Sequence, residues 1–325
     1  MKLLMVMLLA GTSQMEVVSR LFAATSAGPF VTYSWGEHWT KLRPDLRGLS
    51  GEIDLFLCLG PAVYAAGSDG VFVSSDFGET FVSLGSWFYG PARSLLSARL
   101  FALEPTLFVG TETGLYRSTN GGDRWSRVGE GALDASVNAL VWPGPELFVV
   151  TDDGLFRSLD GGDVWKRLDK GLPEGPLLSI AVAQFFALEP TIFVGTRGKG
   201  IYRSRDGGES FEPAGGQAIG GADVRALVWW KTLLLAGTDL GLFLSNDGGD
   251  RFRETRALKG VEVLALNVPG AEVGIASDVF VGTRQGVFKS SDGGVSFRLV
   301  SEGLGRPEVR HLDTFPMPPQ DREKR

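Results

Sequence analysis

Carboxylate side chains recur in this sequence at two kinds of position that could support chemistry. The first set follows apolar runs and lies shortly before a glycine. It comprises Asp69, Glu112, Asp152, Asp153 and Asp239. Two carboxylates that face each other across a cleft can hydrolyse a glycosidic bond, one as the acid and the other as the base or nucleophile. Carboxylates in turns are more often simply solvated, so this hypothesis depends on a facing pair.

The second set belongs to a short pattern, Ser-x-Asp-x-Gly-x-x-aromatic, that recurs along the chain. Its clearest copy covers residues 290–297, and a degenerate copy covers residues 32–39 with Ser34 at the aspartate position. In the six regular copies the aspartate position holds Asp76, Asn120, Asp160, Asp206, Asp247 and Asp292.

This pattern predicts a hairpin turn that is held by its own side chains. An Asp or Asn at the head of a turn accepts hydrogen bonds from backbone N–H groups just downstream. The glycine supplies the positive φ of a tight turn, and the aromatic residue returns the chain to an apolar layer. A calcium site is the less favoured interpretation, because each turn brings only one or two carboxylates and calcium needs several oxygen ligands.

The spacing of the copies predicts a repeat of four strands. Successive aspartate positions are 40 to 46 residues apart, which matches the period of a propeller blade. Second strands such as residues 107–109 and 192–194 are continuous apolar runs, as is typical of a strand buried on both faces. Four strands can be read directly at residues 137–142, 147–151, 154–158 and 164–168.

The repeated pattern resembles the Asp-box, or BNR repeat, of β-propeller proteins. The resemblance covers nearly the whole chain. It implies an all-β fold, a seven-bladed β-propeller with four antiparallel strands per blade. It also implies that the box is a structural turn between the third and fourth strands, on the face away from the ligand site. Sialidases share this propeller, and so do the photosystem II assembly factors of the Ycf48/HCF136 type, which have a binding role.

The residues that sialidase chemistry would need are not evident. The Arg-Ile-Pro element of that family does not occur, and Tyr116 and Tyr202 lie at repeat positions that hold phenylalanine elsewhere, which indicates core packing. The two histidines, His38 and His311, are too few for a multi-histidine metal site. We therefore expect a non-enzymatic protein-interaction or assembly scaffold without a metal or cofactor. The alternative is a glycan-acting, sialidase-like glycoside hydrolase or a glycan-binding propeller.

The expected binding surface is the face opposite the Asp-box turns. There the turns between second and third strands carry acids in blades 2 to 4 and cations in blades 5 and 7. The candidate binding residues are Arg197, Lys199, Arg225, Arg284, Glu112, Asp152 and Asp239. We expect a charge-polarised face, with Asp239 as the exception, that docks an acidic or mixed-charge partner, most simply another protein. The alternative is a solvated rim that binds nothing.

Composition sets further limits on function. The 325 residues carry a net charge of −6, so no nucleic-acid footprint is visible. No apolar run is long enough for a membrane-spanning helix. The single cysteine, Cys58, lies in an apolar strand and is interpreted as a small buried hydrophobe rather than a nucleophile. We expect a monomer with one propeller domain over residues 1–315 and a flexible tail over residues 316–325.

The ends of the chain leave one strand assignment open. Residues 3–9 are either the inner strand of blade 1 or part of a signal peptide over residues 1–13. The strand interpretation is preferred, because residues 3–25 align without a gap on residues 261–283. However, residues 309–315 also resemble an inner strand, and both segments cannot fill one place. A strand favours a cytoplasmic location, and a signal peptide would mean export.

Overall fold

The protein is a closed ring of seven four-stranded antiparallel sheets. The structure, a computed structural model, describes residues 20–43, 48–85, 91–98, 105–183, 186–230, 232–269 and 278–314. Among these residues, helix is limited to two single 3₁₀ turns, Gly216–Ala218 and Arg256–Leu258. The inner strand of each sheet contacts the inner strand of the next sheet around the whole ring. The fold is therefore a seven-bladed β-propeller, and this prediction from the sequence is confirmed.

The strands follow one another from the centre of the ring to its outer edge. Blades 1 and 2 contain β1 (Leu21–Thr25), β2 (Gly28–Thr32), β3 (Trp39–Lys41), β4 (Ile53–Leu59), β5 (Ala62–Gly67), β6 (Gly70–Ser74) and β7 (Val82–Ser83). Blades 3 and 4 contain β8 (Ala92–Ser97), β9 (Leu107–Thr111), β10 (Gly114–Ser118), β11 (Ser126–Val128), β12 (Val137–Val141), β13 (Leu147–Thr151), β14 (Gly154–Ser158) and β15 (Lys166–Leu168).

Blades 5 to 7 repeat the same order, and the last strand returns to blade 1. Blades 5 and 6 contain β16 (Leu177–Val182), β17 (Ile192–Thr196), β18 (Ile201–Ser204), β19 (Glu212–Ala214), β20 (Val224–Trp230), β21 (Leu233–Thr238), β22 (Leu242–Ser245) and β23 (Arg253–Glu254). Blade 7 contains β24 (Val263–Asn267), β25 (Val279–Thr283), β26 (Gly286–Ser290) and β27 (Arg298–Leu299), and β28 (Val309–Thr314) is the inner strand of blade 1.

The core lies between neighbouring blades. Every residue of the second strands β9, β13, β17 and β25 is buried. Successive side chains of a strand point to opposite faces, so one strand fills the two interfaces of its blade. Phe108, Phe148, Phe193 and Phe280 occupy equivalent places in these strands and are fully buried. An isolated blade would expose both apolar faces, which explains why the ring must close.

The four strands predicted in blade 4 are all present, but the outer strand begins later than predicted. It starts at Lys166 rather than at residue 164. The backbone N–H of Val164 donates to Asp160 Oδ1 at 3.0 Å. The turn therefore extends two residues further than the apolar pattern indicates, because the side-chain bond competes with strand pairing.

Each turn between third and fourth strands is held by the predicted side chains. At Asp206, the Ser204 hydroxyl donates to Oδ1 at 2.7 Å and the backbone N–H of Ser210 donates to the same atom at 3.0 Å. Bonds from Ser210 and Ser204 lower the pKa of Asp206 to about 2. The N–H four residues downstream lies 2.9 to 3.0 Å from the side-chain oxygen of Asp76, Asn120, Asp160, Asp206, Asp247 and Asp292. We call these the Ser-x-Asp turns.

The second glycine of a Ser-x-Asp turn packs directly on the preceding blade. Gly249 has a φ of 85°, and a Cβ added there would lie 2.4 Å from Cε1 of Phe193. No other residue fits this place without displacing a buried ring of blade 5. The turn therefore fixes both the hairpin and the distance between two blades.

A clamp also joins one blade to the Ser-x-Asp turn of the next. A side chain of the earlier blade donates to the carbonyl oxygen of the residue that follows the aspartate position. The donor and acceptor pairs include Tyr64 to Gly121 at 3.2 Å, Arg117 to Gly161 at 2.8 Å, Arg157 to Gly207 at 3.2 Å and Lys289 to Trp35 at 3.2 Å. The clamp therefore gives each of these turn carbonyls a hydrogen-bond donor from the neighbouring blade.

The C-terminal strand closes the ring. β28 pairs with β1, so that Leu312 lies opposite Ala23. The preference for residues 3–9 at this place is therefore wrong, and the alternative assignment to residues 309–315 is correct for 309–314. Residues 3–9 and the predicted tail, 316–325, lie outside the described residues. His311 Nε2 donates to the Phe56 carbonyl at 2.9 Å, and the Cys58 N–H donates to Asp313 at 2.7 Å.

Candidate functional site

The two faces of the ring carry different turns. Because the strands are antiparallel, each inner strand begins on the face where the turn between second and third strands lies. Backbone bonds join the two features, as from Asp152 N to Ser136 O at 3.1 Å and from Arg197 N to Pro176 O at 3.0 Å. We call this the mouth face. The Ser-x-Asp turns lie on the opposite face, as the sequence predicted.

Every inner strand has a bulge at its second residue. In β20, Val224 pairs with Thr238 and Ala226 pairs with Gly237, so Arg225 has no partner in the ladder. The residues skipped in this way are Arg310, Asp54, Arg93, Asn138, Leu178, Arg225 and Leu264. A bulge re-aims a side chain and is common beside binding sites. These seven residues, here called the mouth ring, surround the entrance to the central axis.

A continuous series of ion pairs runs along half of the mouth face. Its members, in order, are Asp223, Arg225, Glu262, Arg284, Glu308, Arg310 and Glu52. Arg225 lies 3.1 Å from both of its acids, and Arg284 lies 3.0 Å from Glu308. This arc, from blade 6 through blades 7 and 1 to blade 2, alternates in sign with four acids and three cations.

The arc changes the expected charge of the mouth face. Arg225 and Arg284 were predicted to form a basic side, but each lies between two carboxylates of the arc. The expectation of a polarised face is therefore wrong at these residues. The cause is that Glu262 and Glu308, which precede or begin inner strands, were not counted with the turn residues.

The cations of blade 5 differ from those of the arc. Arg197 and Lys199 are exposed in the turn between β17 and β18. Lys199 Nζ donates to the Glu174 carbonyl at 2.7 Å. The Arg197 side chain makes no hydrogen bond or ion pair within the described part of the chain. Arg197 is therefore the predicted binding cation that remains available to a partner.

The predicted acids of the mouth face each have an internal partner. Glu112 forms a salt bridge with Arg93 of the mouth ring. Asp152 accepts a hydrogen bond from Asn138 Nδ2 at 2.8 Å. Asp239 Oδ1 accepts the backbone N–H of Asp223 at 2.8 Å. The structure thus brings Glu112 and Asp152 to residues of inner strands, and Asp239 to the backbone N–H of the residue that precedes β20.

Asp54 is the one mouth-ring carboxylate. Burial, and then the charge of Glu52, raise the pKa of Asp54 to about 6, against the opposing effects of the Ala92 N–H, Arg310 and Arg93. Its Oδ2 is buried and has no hydrogen-bond partner among the described residues. A carboxyl group that holds its proton near neutral pH can act as an acid, but glycoside hydrolysis also needs a second carboxylate in a facing position.

Two further features of the described residues bear on function. These residues contain no group of three or more His, Cys, Asp or Glu side chains that could hold a metal ion. None of their helices has the length and apolar character needed to cross a membrane. Cys58 is buried, as its sequence context predicted, and burial raises the pKa of its thiol.

Sequence reasoning missed most of the mouth ring. Asp54, Arg93, Asn138 and Arg310 were not among the predicted residues, although Arg225 was. In all seven inner strands this residue directly follows a buried one.

The fold and this surface define the protein as a seven-bladed β-propeller whose mouth face carries a ring of bulged, mixed-charge residues. No family model matches the sequence, and no curated protein matches it. The protein is similar only to solved structures. The sequence identities are low enough that they show a shared fold and nothing more.

Three solved structures illustrate this similarity. The extracellular domain of a putative one-component system from Bacteroides thetaiotaomicron has a TM-score of 0.61 at 18% identity, over 76% of this chain and 33% of that chain. A xyloglucanase of glycoside hydrolase family GH74 from Xanthomonas campestris has a TM-score of 0.66 at 16% identity, over 89% of this chain and 53% of that chain. YCF48 bound to the D1 peptide has a TM-score of 0.54 at 16% identity, over 73% of this chain and 76% of that chain. This chain thus spans only part of the first two proteins.

Proposed function

We propose that this protein is a non-enzymatic scaffold that binds a segment of another protein on its mouth face. The observation that supports the proposal is the ring of seven bulges. A bulge interrupts the hydrogen-bond ladder between two strands. A bulge at the same place in all seven inner strands therefore lowers stability, and a binding role explains why the bulges are present. They turn four charged, one amide and two leucine side chains towards the entrance, a mixture suited to a peptide rather than to a single small ligand.

The partner segment is expected to carry both acidic and basic residues. The arc presents alternating charges, so a segment with alternating charges can pair with it without burying an unmatched charge. Arg197 adds a cation whose side chain has no partner among the described residues, which favours an acidic residue of the segment near blade 5. The similar YCF48 structure contains a bound peptide, which is consistent with this type of partner.

Charge reversal at blade 5 tests this proposal. Arg197→Glu should weaken capture of the partner, and Lys199→Glu should do so less strongly because its ammonium already binds a backbone carbonyl. The matched control is Arg124→Glu, an exposed residue in a turn of the opposite face. Equal capture by Arg197→Glu, Arg124→Glu and the unmodified protein would contradict the proposal.

A glycan-directed function is the second candidate, and Asp54 is the observation that favours it. Its raised pKa would suit an acid catalyst, and a GH74 xyloglucanase has a similar fold. A panel of fluorogenic glycosides and a glycan array test this candidate. Hydrolysis that is lost in Asp54→Asn would replace the scaffold proposal, whereas glycan binding without hydrolysis would indicate a lectin-like propeller.

A further inference from the structure

The outer edge of blade 6 carries a group of three arginines, one of which, Arg251, interacts electrostatically with Asp247 of its own turn. Arg251, Arg253 and Arg256 lie in or beside β23 and are exposed. None of the three side chains makes a salt bridge or a hydrogen bond with a described residue.

In blades 3, 4 and 7 a cation of the outer strand has an acidic partner. Lys166 of blade 4 pairs with Glu209 at 2.9 Å, Arg127 of blade 3 with Asp134 at 2.7 Å, and Arg298 of blade 7 with Glu37. Cations on an edge strand normally discourage unwanted strand pairing, and internal ion pairs are compatible with that role. Arg253 and Arg256 of blade 6 have no such partner among the described residues, so they can offer charge to an outside molecule.

An apolar cleft lies on the other side of the same edge strand. It is open and is lined by Ala218, Leu240, Phe243, Glu254, Lys259 and Gly260. Leu240 is 46% exposed although it is a large apolar residue. Arg253 lies opposite Leu244, which packs towards blade 7, whereas Glu254 lies opposite Phe243, which packs towards blade 5. The edge therefore has a cationic side and an apolar side.

The backbone of this edge is available for pairing. β23 pairs only with β22 among the described strands. Thr255 N donates inward to Leu242 O at 2.9 Å, so the alternation of an antiparallel ladder directs the Glu254 N–H outward. In blade 5 the equivalent position, opposite Tyr202, is Pro213, which has no N–H to offer. Blade 6 thus keeps the donor that blade 5 lacks.

We propose that the outer edge of blade 6 binds an acidic, extended segment of another protein as an added strand. Side chains of an added strand alternate between the two faces. Acidic residues on one face would meet Arg251 and Arg253. Apolar residues on the other face would enter the cleft beside Leu240. This surface adjoins the mouth face at Leu240, which lies in the turn between β21 and β22 next to Asp239.

The test uses a fluorescent synthetic peptide in which glutamate alternates with valine, and measures its binding to the full-length protein by anisotropy. Arg253→Glu should weaken binding about tenfold, the effect of losing roughly one charge-assisted contact. Arg124→Glu, the equivalent of position 251 in the turn of blade 3, is the charge-matched control and should leave binding unchanged. Equal weakening by both variants would show unspecific attraction and would overturn the proposal.

Two variants at position 254 separate strand addition from charge attraction alone. Glu254→Pro should abolish binding because it removes the outward N–H, and blade 5 carries proline, Pro213, at the equivalent place. Glu254→Gln keeps the N–H and should bind at least as well as the unmodified protein. Equal binding by the two variants would overturn strand addition. If Glu254→Pro does not fold, a peptide N-methylated on alternate residues must fail to bind the unmodified protein; retained binding would overturn the proposal.

Discussion

Arg203 of blade 5 donates a hydrogen bond from Nη1 to the carbonyl oxygen of Gly248 in blade 6 at 2.7 Å. The same guanidinium pairs with Asp250 at 2.6 Å, three residues after the aspartate position of that turn. Arg117 with Asp163 and Arg157 with Glu209 repeat the arrangement. The Ser-x-Asp turn is therefore both a hairpin latch and the acceptor of a bond from the preceding blade.

The clamp predicts which arginine of blade 5 matters for stability. Arg203→Met should lower the free energy of unfolding by about 2 kcal/mol, because it removes charge-assisted bonds from a side chain that is 7% exposed. Arg205 also pairs with Asp250, at 3.3 Å, but is exposed. Arg205→Met should therefore cost less than about 1 kcal/mol. Urea unfolding of both variants measures the difference, and equal losses would contradict the clamp.

The turn aspartates predict sensitivity to acid. The folded-state pKa of Asp206 is about 2, below the unfolded value of about 3.9. A depressed pKa contributes stability that is complete above about pH 4 and is lost as the pH falls towards 2. Asp206→Asn, which mimics Asn120, should therefore flatten the acid limb of the stability curve between these values. The urea midpoint of both proteins, measured across this pH range, checks this prediction. If the midpoint of Asp206→Asn fell with pH as steeply as that of the unmodified protein, the result would count against the latch.

The closing strand predicts that stability also depends on pH in a second, higher range. Burial lowers the pKa of His311 to about 4, while its bond to the Phe56 carbonyl opposes the shift. The unfolded chain takes up the proton at about pH 6.5, so the contribution of neutral His311 is complete above that value and is lost as the pH falls through 4. His311→Gln should reduce the loss of stability in this window. His38→Gln, at an exposed side chain, is the control; equal effects of the two variants would contradict the account.

Asp54 predicts a contribution to stability that falls as the pH rises, opposite to those of Asp206 and His311. Its folded-state pKa of about 6 is above the unfolded value of about 3.9, so the stability associated with protonated Asp54 is present below about pH 4 and is lost as the pH rises through 6. Asp54→Asn should therefore raise the thermal unfolding midpoint at about pH 8 and change it little at about pH 4. A lower midpoint at high pH would show that ionised Asp54 is stabilised rather than opposed by its surroundings.

Much of the fold could be predicted because the repeat combines local chemistry with spacing. Asp76 and its equivalents specify a turn by side-chain bonds that depend on only a few neighbouring residues. The apolar second strands, such as β13, then specify burial on both faces. Seven copies leave a ring as the arrangement in which every blade has two neighbours.

The closure of the ring and the charges of the mouth face could not be predicted in the same way. The choice between residues 3–9 and β28 depends on contacts between residues such as His311 and Phe56, which are far apart in sequence. Arg225 and Arg284 share Glu262 only because consecutive blades place them side by side. Pairing across blades depends on three-dimensional position, and no single repeat contains that information.

Site-specific photo-crosslinking tests most directly the central claim that the mouth face binds a protein partner. Benzoylphenylalanine would replace Leu178 and, separately, Leu264, two apolar members of the mouth ring. In a third variant it would replace Val164, which is 69% exposed in a Ser-x-Asp turn of the opposite face. The account predicts that irradiation in cells links one and the same protein to both mouth positions and not to position 164. Links from position 164 alone, or no link from either mouth position, would contradict it.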